Sequence, residues 1–226
     1  MIPLNDDNPT RIWPIVSYTV LGACVLVFLW QFSLNQQAAR EAVYALGMVP
    51  AVLIGEVSLP PDVALVPAPV TLVTSMFLHG GWMHIIGNML YLWVFGDNVE
   101  DAMGHWRFIA FYFICGMAAA LAQLALDPSS QVPMIGASGA IAGLLGAYLI
   151  LHPKAHVLVL IPLGIFTQLI RVPAMLVLGL WFVLQLFNQA TSGEGAGVAF
   201  MAHIGGFVAG MGLIPLFKYR RVKLFD

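Results

Sequence analysis

Charged side chains are scarce: nine Lys and Arg and eleven Asp and Glu in 226 residues, 9% of the chain, where a soluble domain carries roughly 25%. Set beside a 60% hydrophobic composition and a mean hydropathy of +0.89, that scarcity excludes an ordinary water-soluble domain. A net charge of -2 leaves no basic field, which excludes nucleic acid as a partner. Cysteine is nearly absent. Cys24 and Cys115 each lie inside an apolar run and suggest neither a disulfide framework nor a metal site. No basic n-region opens the chain, since Asp6 and Asp7 stand there, so no cleaved signal peptide is expected.

Long apolar runs fill the chain instead. They point to a polytopic, all-α membrane bundle of six transmembrane helices, a single domain over residues 1–226. The expected spans are Pro14–Phe32, Gly81–Phe95, Phe108–Leu126, Ser138–Leu151, Val172–Phe187 and Val198–Phe217. Residues 1–13 read as a short polar segment and 218–226 as a basic tail. Residues 35–80 form a long connection, helical from Ala38 to Ile54 and then broken by Pro60, Pro61, Pro67 and Pro69. Its apolar content suggests a structured cap in the membrane interface. A charged turn is expected after the second span, with Asp97, Glu100, Asp101, His105 and Arg107. Val157–Phe166 is apolar but too short to cross and is interrupted by Pro162. Gly193-Glu194-Gly195 reads as a flexible loop, and the stretch to Gly197 as a shield or gate.

Six spans put both termini on one side. That side carries Arg11, Arg107, Lys154, Arg171, Lys218, Arg220, Arg221 and Lys223, and the other only Arg40. The positive-inside rule therefore places both termini in the cytoplasm, with bacterial cytoplasmic membrane as the expected location.

Polar groups inside apolar spans are costly and point to function. Four stand out: His84, Asn88, Ser138 and His203, on spans two, four and six, which run in the same direction. Counting back from the cytoplasmic ends at about 1.5 Å per residue puts His84, Ser138 and His203 all roughly 20–22 Å up. They sit about a third of the way into a hydrocarbon core roughly 30 Å thick. Asn88 shares a helix face with His84, about 6 Å deeper.

Ser and His supply a nucleophile and its base, while Asn and a second His supply hydrogen-bond donors for an oxyanion. No Asp or Glu lies within the spans, so the expectation is a Ser–His dyad whose imidazole is oriented by packing or a neutral partner. Ser138 sits between Gly136-Ala137 and Gly139, where a loop becomes an apolar helix, so its hydroxyl is approachable. The plainer reading of Ser138 is a helix N-cap. Gly139 and Gly143 on one span, and Gly206 and Gly210 on another, form small-residue faces that let two backbones meet. The α/β-hydrolase elbow is missed, because Ala140 stands where that motif needs Gly.

At these residues the chain resembles the rhomboid family of intramembrane serine proteases. The matching pieces are Gly136-Ala137-Ser138-Gly139, His84-x-x-x-Asn88 preceded by His79, and Ala202-His203-x-x-Gly206-x-x-x-Gly210, with Gly96, Glu100, Gly104 and Arg107 between them. The resemblance implies Ser138 as nucleophile and His203 as general base. It also implies an oxyanion hole of His84, Asn88 and the Ser138 backbone N–H, and no cofactor or metal. Implied partners are the lipid bilayer and single-span or polytopic membrane proteins cut in or near the membrane, entering between spans two and five. Two positions depart from the family pattern. Val70-Thr71 stands where many members carry Trp-Arg. Ala142 stands where many carry an aromatic under the catalytic His, so another residue must support His203. Two other functions use similar groups: a non-catalytic rhomboid-like scaffold that binds transmembrane clients, and a small transporter.

Overall fold

The computed structural model describes residues 1–163, 166–191 and 199–226. In chain order the elements are β1 (Ile2–Asp6), α1 (Ile15–Ser33), α2 (Gln36–Leu46), α3 (Pro50–Leu53), α4 (Thr71–Thr74), α5 (Trp82–Met103), α6 (His105–Leu126), α7 (Ser138–Leu151), β2 (His156–Leu163), β3 (Phe166–Pro173), α8 (Ala174–Thr191) and α9 (Phe200–Phe217). The expected loop at Gly193–Gly197 and the expected span start at Val198 lie outside the described residues.

Helices dominate. α1, α6, α8 and α9 are each long and apolar enough to cross a membrane. α5 has 22 residues, but Asp97, Glu100 and Asp101 occupy its last turns; α7 has 14, roughly 21 Å of rise. α7 sits at the centre. Ten of its residues, among them Ala140, Leu144, Tyr148 and Leu151, are buried. It packs on α9 through glycine. A Cβ at Gly206 or Gly210 would overlap the carbonyl oxygen of Gly139 or Gly143, so only Gly allows the observed approach of the two backbones.

The charged segment after the second apolar run is not a turn. α5 continues as helix eight residues past Phe95, and the chain turns only at Gly104, whose φ is +79°. Continuation is possible because the charges find partners. The buried Glu100 carboxylate accepts from the Val16 N–H through Oε1 at 3.0 Å and from the Ser17 N–H and Oγ through Oε2 at 2.8 and 2.7 Å; His105 Nδ1 lies 2.6 Å from Oε1. Those two N–H groups belong to the first turn of α1, so Glu100 satisfies orphan donors at that helix's positive end. Asp101 likewise accepts from the Arg11 and Ile12 N–H groups.

The fold is mostly helical, but not all-α. β1, β2 and β3 form an antiparallel sheet in that order, pairing Ile2 with Leu160, Asp6 with Val157, and Val159 with Ile170. The N-terminal segment is thus a strand. The apolar run after α7 is too short for a span and rich in Val, Ile and Leu, which suit a pleated, half-buried surface. Pro162 is tolerated because β1 pairs only as far as Leu160 and leaves that side of β2 open. Val157 and Val159 are fully buried against the helices. From β1, Asp6 accepts a hydrogen bond from the Tyr148 hydroxyl in α7.

The connection between α1 and α5 is folded onto the bundle. Met48 and Met134 exchange backbone hydrogen bonds at 3.0 and 2.8 Å, tying this connection to the loop that leads into α7. The Gly136 N–H donates to Ser75 O at 2.9 Å, which fixes the approach to Ser138 from the same side.

Candidate active site

The three helices that bear the predicted residues all begin at one end of the bundle. His84 is in the first turn of α5, Ser138 is the first residue of α7, and His203 is in the first turn of α9. Their N-terminal N–H groups lack intrahelical acceptors and carry partial positive charge, so this end suits developing negative charge. A cavity of about 880 Å³ opens here, lined by His84, Asn88, Gly136, Ser138, Trp181 and His203 among others. All four residues singled out by depth therefore surround one space.

Ser138 does not cap its helix. Ala137 holds the N-cap position, without a side-chain capping bond, and Ser138 Oγ lies 2.8 Å from His203 Nε2. On the far side of the ring, His203 Nδ1 lies 2.8 Å from Gln185 Oε1 of α8. Trp181, one turn earlier on α8, places its ring centroid 5.9 Å from that of His203.

The second group of polar atoms faces Gly136. Its φ of +119° suits glycine, and a Cβ there would come within 2.7 Å of His84 Nε2 and 3.6 Å of Asn88 Nδ2. The Gly80 N–H donates to His84 Nδ1 at 3.3 Å, which leaves the ring proton on Nε2 and makes that atom a donor into the cavity. Asn88 Nδ2 is buried and has no hydrogen-bond partner among the described residues. A buried donor without a partner carries a desolvation cost unless something else fills it, here a group that enters the cavity. His79, just before α5, packs its ring 5.1 Å from that of His84, and Gln31 accepts from its N–H at 3.0 Å.

The four small residues have separate places. Gly136 adjoins the donors, Gly139 packs on Ala119 of α6, and Gly206 and Gly210 form the α7–α9 contact. Gln185 was passed over in the sequence although the signal was there: a lone carboxamide in an otherwise apolar span.

The model of the rhomboid domain matches residues 68–220, about two thirds of the chain and the whole of the region around this cavity. The chain belongs to the rhomboid family. It is 34% identical over 139 residues to the rhomboid protease GluP of Bacillus subtilis, covering 62% of this chain and 24% of that protein. It is 32% identical over 150 residues to the rhomboid-like protease 5 of Toxoplasma gondii, covering 62% and 15%. Against RHOMBOID-like protein 5 of Arabidopsis thaliana it is 38% identical over 78 residues, covering 34% and 25%. The matches thus span only about a quarter or less of these relatives' lengths. Family and apolar helices together make this a multi-pass membrane protein.

The two departures from the rhomboid pattern have visible counterparts. Ala142 is fully buried beneath the site, and support for His203 comes from α8 through Gln185 and Trp181. Val70 and Thr71 lie inside a run of short helical turns from Ala68 to Phe77, whose Thr74 hydroxyl donates to Leu46 O at 2.6 Å, so the connection is held without a Trp-Arg pair.

Proposed function

We propose that this rhomboid is an intramembrane serine endopeptidase that cuts membrane-anchored proteins within or beside their transmembrane segment. The observation that carries the reading is the 2.8 Å contact of Ser138 Oγ with His203 Nε2 at the wall of a cavity. A serine hydroxyl is a weak nucleophile unless a base removes its proton as it attacks. Ser138 Oγ forms a bond to the scissile carbonyl carbon while its proton passes to His203 Nε2. The carbonyl π electrons move to oxygen, which His84 Nε2–H, Asn88 Nδ2–H and the Ser138 N–H receive. The intermediate collapses with loss of the amine, which takes the proton from His203. A water molecule repeats the sequence on the acyl-enzyme and frees Ser138.

The bundle crosses the bilayer six times in this reading, with α5 and α7 as the second and fourth crossings. The eight-to-one basic asymmetry puts both termini in the cytoplasm and opens the cavity toward the outer face. Single Cys residues at Asn5 and Lys223, in a background lacking Cys24 and Cys115, then resist an impermeant thiol reagent in intact cells. A mechanism-based fluorophosphonate tests the chemistry. It labels Ser138, and Ser138→Ala abolishes both labelling and cleavage of a model transmembrane substrate. Absence of labelling and of cleavage in the unaltered protein would favour a client-binding scaffold instead.

A further inference from the structure

We propose that Gln185 completes the catalytic unit as a neutral positioning residue, holding His203 in the tautomer that can accept the Ser138 proton. This rests on the Ser138–His203 reading above. A neutral imidazole carries one ring proton, and only the nitrogen without it can act as base. Two contacts decide which nitrogen that is. Gln185 Nε2 turns back to donate to Trp181 O, one helical turn earlier, at 3.4 Å. Gln185 Oε1, purely an acceptor, is thereby left facing His203 Nδ1 at 2.8 Å. The ring proton must then sit on Nδ1, and Nε2 presents its lone pair to Ser138 Oγ at 2.8 Å. The opposite amide orientation would set NH2 against Nδ1, move the proton to Nε2 and leave no base toward the serine. As the imidazolium forms, the Nδ1–H···O bond becomes charge-assisted and strengthens.

The placement of Gln185 on α8 fits this role. Its neighbours Val183, Leu184, Leu186 and Phe187 are all exposed, whereas Gln185 is 8% exposed, so the helix presents its one polar side chain inward at this turn. Trp181 lies on the same helix face and covers the imidazole. An amide selects the tautomer without placing an anion among apolar helices, where an ionised carboxylate is expensive. The ring that Ala142 cannot support from α7 is thus held from a different helix.

The test uses the whole protein in proteoliposomes with a model transmembrane substrate, comparing Gln185→Met and Gln185→Glu. Gln185→Met lowers kcat by about tenfold to a hundredfold and changes KM by no more than about twofold, because orientation matters in the transition state. Gln185→Glu recovers most of that loss. It also moves the acidic limb of the kcat profile upward by about one pH unit, since a carboxylate favours the imidazolium. Among the described residues facing His203, Ser138 on α7, Gln185 and Trp181 on α8 and Phe200 on α9 carry no group that ionises near neutral pH, and the imidazole of His84 on α5 is the same in both variants. Nitrogen-15 spectra of histidine-labelled protein show His203 protonated at Nδ1 in the unaltered chain and as a tautomer mixture in Gln185→Met. An unaltered kcat and tautomer in Gln185→Met overturns the proposal. So does a loss of kcat that Gln185→Glu neither recovers nor shifts in pH, which would make Gln185 a packing residue. If the unaltered protein cleaves nothing and Ser138 stays unlabelled, the protease reading fails by itself. The tautomer comparison then still decides for or against Gln185.

Discussion

Glu100 and Asn88 lie three turns apart on α5, and both are buried. Glu100 has every acceptor site used: two N–H groups, a serine hydroxyl and an imidazole converge on its two oxygens. Asn88 points an amide nitrogen at a cavity where none of the described residues receives it. The same helix thus carries a fully paired carboxylate near one end and an unpaired amide nitrogen at a cavity near the other. Paired atoms fix geometry; an unpaired donor beside a cavity is open to a group that enters it. Both residues are buried; what separates them is whether a partner is present among the described residues.

Four substitutions can break or sharpen that contrast. The largest effect is expected from Glu100→Ala, which strands the donors at the start of α1 and takes away the partner of the half-exposed His105 imidazole. It should destabilise the protein by about 3–5 kcal/mol in a reversible unfolding assay, with activity lost only as the fold is lost. A stable, inactive Glu100→Ala protein would place Glu100 on the chemical side of the contrast. Asn88→Ala should do the reverse. Turnover falls about 10²–10³-fold with little change in KM, and stability is unchanged or slightly higher because an unpaired buried donor is removed. Steady-state kinetics beside a melting curve checks both parts, and weaker binding alone would make Asn88 a packing residue. Gly206→Leu comes next. The added side chain must push α9 off the Gly139 carbonyl, at a cost of about 1–3 kcal/mol, and separates His203 from Ser138. Fluorophosphonate labelling at the wild-type rate in this variant would show that the α7–α9 contact does not set the dyad distance.

The smallest effect concerns pH at the Glu100 end of the bundle. Burial raises the Asp6 carboxyl from its usual 3.8 to about 6, against the opposing hydrogen bond from Tyr148 and with a further push from Asp7. Between about pH 4 and 6 the folded state therefore holds a proton that the unfolded chain releases. This contribution to stability is complete below about pH 4 and declines as pH rises to about 6. Asp6→Asn should flatten that part of the stability–pH profile, measured as unfolding midpoints in detergent. An unchanged slope would assign the titration to another group.

How much of this could be read from the chain alone depended on whether the partner was local. α7 has the bounds its sequence suggests, because Gly136 precedes it with a positive φ and His152-Pro153 ends it. Matching the depths of His84, Asn88, Ser138 and His203 needed only the helix rise and a shared direction, and the four do line one cavity. Glu100 reads as part of a charged turn because its partners, the first N–H groups of α1, lie more than eighty residues away. The β1–β2 half of the sheet was hidden for the same reason, while the β2–β3 hairpin is local and was masked by its apolar composition. β2 pairs with a strand at the far N-terminus, and one face of its alternation is buried while the other is only partly exposed, so the run reads as uniformly apolar. Gln185 was legible as an anomaly, but its meaning required knowing that α8 turns that face toward His203.

The glycine contact between α7 and α9 also acts as a mechanical lock. Sliding one helix along the other by a single residue would move its side chains by about 1.5 Å, more than half the distance between Ser138 Oγ and His203 Nε2. The carbonyls of Gly139 and Gly143, seated against Gly206 and Gly210, leave such a slide no graded path. Ser138 and His203 are therefore mounted on what is in effect one rigid part, and the distance between them is a poor target for adjustment. What that part leaves free to vary lies outside it: the tilt of α8, which carries Gln185, and the connection tied down at Met48 and Met134.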